Sequence, residues 1–134
     1  MVDQEIASFL SELHVGILSI PREGRAPHST PVWYRYESDN TIWFLADSNS
    51  QKGKLLSVGA KLSFVVQSEK IPYQYVSMEG LVTDISRGDI ESDLRPIARF
   101  YLGEKAGDEY VSQSGETTGN RYIIGINKIM SYGV

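Results

Sequence analysis

TIWFLADSNSQKGKLLSVGAKLSFVVQ, residues 41–67, decides how the rest of the chain is read. It opens on a run of β-formers, TIWFLA (41–46), and closes on another, KLSFVVQ (61–67). Between them lie a polar segment and a short helical pattern from about Ser50 to Val58. Helices that do not alternate with nearly every strand argue against a doubly wound parallel sheet. The centre, SNSQKGKLL (48–56), gathers Lys52 and Lys54 around Gly53 in a chain of net charge −4. A helix start offers free N–H groups and the positive end of a dipole, which together favour a phosphate. Ser48, Ser50 and Gln51 add side-chain donors, and Lys52 adds a full charge. The same residues equally suit a solvated first turn.

Upstream, residues 3–13 read as a helix, with Asp3 as N-cap and Ile6, Phe9, Leu10 and Leu13 on one face. HVGILSI (14–20) reads as a strand and PREGR (21–25) as a turn. HSTPVWYRYE (28–37) is a second strand, with Val32, Tyr34 and Tyr36 on one face and Trp33 on the other. ESDN (37–40) then turns into TIWFLA.

Downstream, YQYVSMEGLVTDI (73–85) is a fifth strand with a bulge expected at Gly80. Residues 89–102 carry a helical pattern that Pro96 divides into two short helices, ending at Gly103. GDEYVSQS (107–114) suits one more helical turn, and RYIIGINKIMSYGV (121–134) closes the chain as a sixth strand. The expected fold is mainly β, a six-stranded antiparallel split barrel in a single domain, residues 1–134. An N-terminal helix, a short helix between strands three and four, and a helical segment before the last strand complete it.

Composition removes several classes of function. The chain has 134 residues, no cysteine and two histidines, His14 and His28. Disulfides, thiolate metal sites and cysteine nucleophiles are therefore excluded, and no histidine-rich metal site is expected. The acidic balance speaks against nucleic acid, and no apolar run is long enough to span a membrane. The N-terminus is amphipathic and acidic, unlike a signal peptide, so a cytoplasmic setting is expected. No GxG pair, P-loop or GxSxG elbow occurs. DSNSQK starts like a calcium loop but places Lys52 and Val58 where glycine and glutamate are needed. Arg87-Gly88-Asp89 is read as a turn before a helix, and Arg95 and Arg99 as partners of nearby carboxylates. A chain this poor in candidate acids and bases points to borrowed chemistry if it is an enzyme.

The order HSTPVWY, IWFLA, SQKGKLL, AKLSFVV resembles the split-barrel flavin-binding family typified by pyridoxamine 5'-phosphate oxidase. The resemblance runs from about His14 to Ile85 and more loosely to Val134. In that family a Ser/Arg–Lys pair opens the helix after the third strand, an apolar residue follows, and a Pro-Arg-Val-like entry starts the next strand. Ser50-Gln51-Lys52, Leu56 and Ala60-Lys61-Leu62 occupy those places.

By position, the resemblance implies that Lys52 binds a cofactor phosphate with Ser50 and Gln51. Pro31, Val32 and Trp33 would run along the ring edge, Leu45 and Ala46 beside it, and Tyr75 would reach in from a second subunit. Thr30 stands where the family keeps a second phosphate-binding arginine, and Gln51 replaces a basic residue; Lys54 offsets part of that charge. The family's C-terminal substrate-binding segment has no counterpart in these 134 residues, so the pyridoxamine phosphate reaction itself is not implied.

What is implied is an FMN-binding homodimer with the cofactor at the subunit interface. It would be an oxidoreductase passing hydride equivalents between NADH or NADPH and a small-molecule substrate. One variant is a reductase using the deazaflavin F420, whose acidic tail would call on Arg22, Arg25 and Lys54. Another is a non-catalytic flavin- or haem-binding protein.

Overall fold

Seven strands form one antiparallel sheet in the order β2-β1-β5-β6-β7-β4-β3 in this computed structural model, which describes residues 2–115 and 118–134. They are β1 (Gly16–Arg22), β2 (Arg25–Val32), β3 (Arg35–Glu37), β4 (Thr41–Ala46), β5 (Lys61–Ser68), β6 (Gln74–Arg87) and β7 (Asn120–Tyr132). The helices are α1 (Gln4–Ser11), α2 (Gln51–Leu55), α3 (Arg95–Leu102) and α4 (Glu104–Gln113), with a π-helical turn at Ile90–Leu94.

The mainly β, split-barrel expectation holds, but with seven strands rather than six. The segment expected as one second strand breaks at Trp33-Tyr34 into β2 and β3. The cause is tertiary. The Tyr101 hydroxyl accepts the Tyr34 N–H at 3.0 Å and lies 3.0 Å from the Tyr34 carbonyl oxygen, which draws both groups out of the strand ladder.

β2 and β3 are the two edges of the sheet, and only Trp33 and Tyr34 separate them. The edges therefore approach within about 11 Å at that point, the reach of three peptide units. The sheet curls into a barrel that remains split.

Alternation along the strands puts Leu18, Phe64, Val66, Val76, Met78, Ile42, Phe44, Tyr122 and Ile124 inside. Ile6, Phe9 and Leu10 of α1 join this core, and the Tyr34 hydroxyl donates to the Leu10 carbonyl at 2.8 Å. Each such apolar side chain contributes about 1.5–3 kcal/mol on burial. Asp3 caps α1 by accepting the Ile6 N–H at 2.8 Å. The helix stops at Ser11, short of the expected residue 13, and Leu13 is left exposed.

The turn after β1 is also tighter than PREGR suggests. The strands run through Pro21 and Arg22 to a turn at Glu23-Gly24, with Gly24 at φ 72°. Pro21 sits at a register shift beyond Ser19, the last residue of β1 that pairs with β5, so its missing N–H breaks no ladder there. The bulge expected at Gly80 is present, with a register shift between Glu79 and Gly80. A second shift lies between Val82 and Asp84.

A smaller apolar cluster lies on the outer face of β4 and β7. Trp43, Leu94, Ile97, Ala98 and Val111 form it, with Trp33, Leu45, Tyr101 and Ile123 packed against it. Pro96 falls in the first turn of α3, where no N–H is needed, so the expected break is instead a change from π to α geometry, with helical backbone at both Leu94 and Arg95. Beyond Gly103 the single expected turn is instead the ten-residue α4. Gly107 permits this, since a Cβ there would come within 2.7 Å of the Arg99 backbone.

Candidate functional site

β4 ends at Ala46, and Asp47 turns the chain into α2. Its carboxylate accepts the Asn49 N–H at 2.8 Å, and its carbonyl accepts the Ser50 N–H at 3.0 Å. Ser50 is the N-cap: its Oγ accepts the Gly53 N–H at 3.1 Å and donates to the Asp47 carbonyl at 2.6 Å. Its single proton is thus spent on the turn.

The glycine between the two lysines has a steric reason. A Cβ at Gly53 would lie 2.2 Å from the Asp47 carbonyl oxygen. The KGK sequence therefore seats the helix directly on the turn, with Lys52 half-buried and Gln51 and Lys54 exposed.

Above this corner opens a cavity of about 510 Å³. The end of β2 supplies Pro31 and Val32, Trp33 follows directly after it, and the end of β4 supplies Leu45 and Ala46. Leu94, Ile97 and Tyr110 close it from the helical side, with Val15 at the start of β1. Asp47, Ser50, Lys52 and Thr118 line its polar part. Apolar walls with a few placed polar groups are the usual character of a ligand site. β2 is an edge strand, so alternate N–H and C=O groups along it point away from β1.

Trp33 is held firmly. Its indole stacks on Tyr101 at 5.0 Å and 6° and meets Tyr110 at 5.2 Å and 50°. The Tyr101 hydroxyl also donates to the His14 carbonyl at 2.6 Å, which ties α3 to the start of β1. Burial pushes the Tyr101 and Tyr34 hydroxyls above the ordinary tyrosine range, so both stay protonated at neutral pH.

Of the residues proposed from sequence, Pro31, Val32, Trp33, Leu45, Ala46, Ser50 and Lys52 come together around this cavity. Thr30, Gln51 and Tyr75 are not among its lining residues. Thr30 is half-exposed one residue before Pro31, and Tyr75 stacks on Tyr132 at 5.9 Å on the outer face of the sheet. Arg95 and Arg99 are structural, as read, but their shared partner is Asp108, at 2.7 and 2.8 Å; Arg95 also pairs with Glu91. His14 stacks on Phe9 and contacts Glu12 at 3.1 Å.

Sequence reasoning missed Val15, Asp47, Tyr110 and Thr118 as lining residues. Only the apolar spacing of Leu94 and Ile97 hinted at the helical wall.

A larger depression of about 910 Å³ lies between α1 and the end of the chain, beside Asp3, Glu5 and Glu12. It is broader and more polar, and among the described residues no Lys, Arg or His lines it. Among the described residues no cluster of carboxylates and histidines could hold a metal. Among them, too, no helix is long and apolar enough to cross a membrane.

No curated protein matches the sequence. Among solved structures, a conserved hypothetical protein from Mycobacterium tuberculosis is 22% identical with a TM-score of 0.73, covering 98% of this chain and 84% of its own. An F420 reductase is 21% identical with a TM-score of 0.61 over 92% and 94% of the two chains. An FAD binding protein from Mycobacterium smegmatis is 11% identical with a TM-score of 0.64 over 98% and 96%. Identities this low establish a shared fold and nothing more. The family itself is fixed by sequence: a family model described as pyridoxamine 5'-phosphate oxidase matches residues 2–127. Nearly the whole chain is covered, and the protein belongs to the pyridoxamine 5'-phosphate oxidase family.

Proposed function

We propose that this protein binds FMN at the interface of a homodimer and acts as a flavin-dependent oxidoreductase on a small molecule, with NADH or NADPH as electron source. One observation carries the reading: a slot walled by Trp33, Leu45 and Ala46 has Lys52 at its polar end. A flat ring bearing a phosphate side chain has that same polarity, so the residues present fit the group. The bound flavin supplies hydride transfer, which no side chain offers.

The chain's own residues bind and orient. Lys52 neutralises the phosphate, because the Ser50 proton and the Asn49 and Ser50 N–H groups are already engaged within the turn. The free edge of β2 around Pro31–Trp33 pairs with the polar margin of the ring, while Leu45, Ala46 and Ile97 exclude water. Tyr101 and Tyr110 fix Trp33 as the wall of the slot.

The outer face of the sheet supports the dimer. Val15, Ile17, Tyr75, Met130 and Tyr132 are exposed there, and Val15 also borders the cavity. A second copy covering this face would bury apolar surface and close the site. Tyr75 is the side chain it would bring toward the cofactor. The absence of cysteine accords with a cytoplasmic setting.

A second reading, binding of F420, draws support from the shared fold with an F420 reductase.

An absorbance spectrum of purified protein, titrated with FMN and with F420, tests the proposal. FMN is expected to bind, and Lys52→Ala is expected to weaken it about tenfold or more, the loss of one charge-assisted contact. Uptake of F420 alone would put the second reading first. Equal binding by Lys52→Ala and wild type would reject the phosphate role.

A further inference from the structure

We infer that the cavity continues into a polar subsite at Arg87, which binds an anionic group carried on the cofactor's phosphate. The favoured ligand is then longer than a simple phosphate monoester. This inference rests on the flavin reading above.

A groove of about 420 Å³ adjoins the cavity and shares Asp47 and Thr118 with it. Ser48, Asn49, Arg87 and Asn120 supply its other polar side chains. One cross-strand row links the two: Ala46 on β4 faces Asn120 on β7, which faces Arg87 on β6. With strands spaced about 4.8 Å apart, Arg87 lies roughly 10 Å from Ala46 along that row. Ala46 borders the cavity, so a diphosphate met by the extended Arg87 side chain, or a short acidic peptide, covers that distance from the cavity.

The floor of the groove is backbone held in place. The Gly88 N–H donates to the Gly119 carbonyl at 3.0 Å. Gly119 has φ 75°, and a Cβ there would come within 2.4 Å of the Ala46 carbonyl oxygen.

Arg87 is also distinguished by what it does not do. Among the described residues it makes no ion pair. Arg95 and Arg99 are tied to Asp108, Arg121 and Arg35 lie over Trp43 and Phe100, and Arg22 donates to the Ala26 carbonyl. Arg25 lies at the far end of its hairpin, about 20 Å from Val32 at the rise of an extended strand. Within one protomer, the arginines first considered for an acidic tail are therefore badly placed, and Arg87 is well placed. Its guanidinium fork suits phosphate and carboxylate alike. Asp47 opposes an anion here, but its carboxylate already accepts the Asn49 N–H.

The test is equilibrium binding of FMN, FAD and F420 to wild type, Arg87→Ala, Arg87→Gln and Lys52→Ala. At least one tailed cofactor is expected to bind wild type about tenfold tighter than FMN, the worth of a hydrogen bond to a charged group. Both Arg87 variants should erase that advantage and leave FMN affinity unchanged, while Lys52→Ala weakens all three. Preference for FAD identifies a second phosphate as the anion, and preference for F420 an acidic peptide. The inference fails if the Arg87 variants leave every affinity unchanged or lower all equally, or if tailed ligands bind no better than FMN. If wild type binds none of the three, the flavin reading fails with it. Melting temperatures of both variants, expected to match wild type, separate a lost contact from a lost fold.

Discussion

Tyr34 and Trp33 are neighbours in the chain but take opposite faces of the sheet. Tyr34 is 2% exposed, edge-on to Phe64 inside the barrel, with its hydroxyl on the Leu10 carbonyl. Trp33 turns outward to the cavity and is held by Tyr101 and Tyr110, which arrive on α3 and α4. The barrel interior is enclosed by strands of which all but the edges β2 and β3 are paired on both sides. The outer cluster depends on one buried hydroxyl and on Asp108 between two arginines. Fold stability and cavity shape thus rest largely on different residues, with Val32 and Ala46 shared and Tyr101 linking the two regions.

The strongest way to break that separation is inside the barrel. Phe44 is fully buried and stacked on Tyr122 at 5.5 Å, so Phe44→Ala should cost about 3–5 kcal/mol of stability. Denaturant unfolding measures this, and ligand affinity in the folded fraction should persist. If affinity collapses in parallel, the two regions are one unit.

A middle-sized effect is expected from Tyr101→Phe. It keeps the stack on Trp33 but leaves the Tyr34 N–H and the His14 carbonyl without their partner, a loss of about 1–3 kcal/mol. Cofactor affinity should fall as well, because the Trp33 wall loosens. Unchanged affinity with reduced stability would show that stacking alone positions the indole.

The smallest effect lies in the helical cover and depends on pH. Arg99 and Arg95 hold Asp108 at about 2, below the ordinary carboxylate range. A depressed carboxylate contributes stability above its unfolded value of about 3.9 and loses it as pH falls toward the folded value. Wild type should therefore lose melting temperature between about pH 4 and pH 2 more steeply than Asp108→Asn. Parallel melting curves for the two proteins would remove Asp108 from the account.

Much of the fold was legible because local chemistry and the barrel agree. Asp3 caps α1, Gly80 marks its bulge, and KLSFVVQ alternates in burial along its length, whereas in TIWFLA the outward Trp43 is buried as well, under the helical cover. The break at Trp33-Tyr34 was not legible, because HSTPVWYRYE keeps its strand pattern throughout. What interrupts it is a hydroxyl 67 positions away. The length of α4 was hidden for a similar reason, since Gly107 weakens the helical signal of the segment whose packing it permits. In the site, the polar corner at Ser50–Lys52 could be read from one contiguous stretch. Tyr110 and Thr118 could not, because they reach the cavity through the placement of the helices and the turn before β7.

The outer cluster also supplies an optical probe. The chain has two tryptophans. Trp43 is buried, its indole N–H donating to Glu37 at 2.9 Å with Arg121 over the ring, whereas Trp33 borders the cavity. Indole emission responds to stacked aromatic groups and to solvent, so Trp33 should report on whatever enters the slot, while Trp43, in the same cluster, adds a second signal. Replacing Trp43 with phenylalanine would leave a protein whose single indole sits on the wall of the cavity.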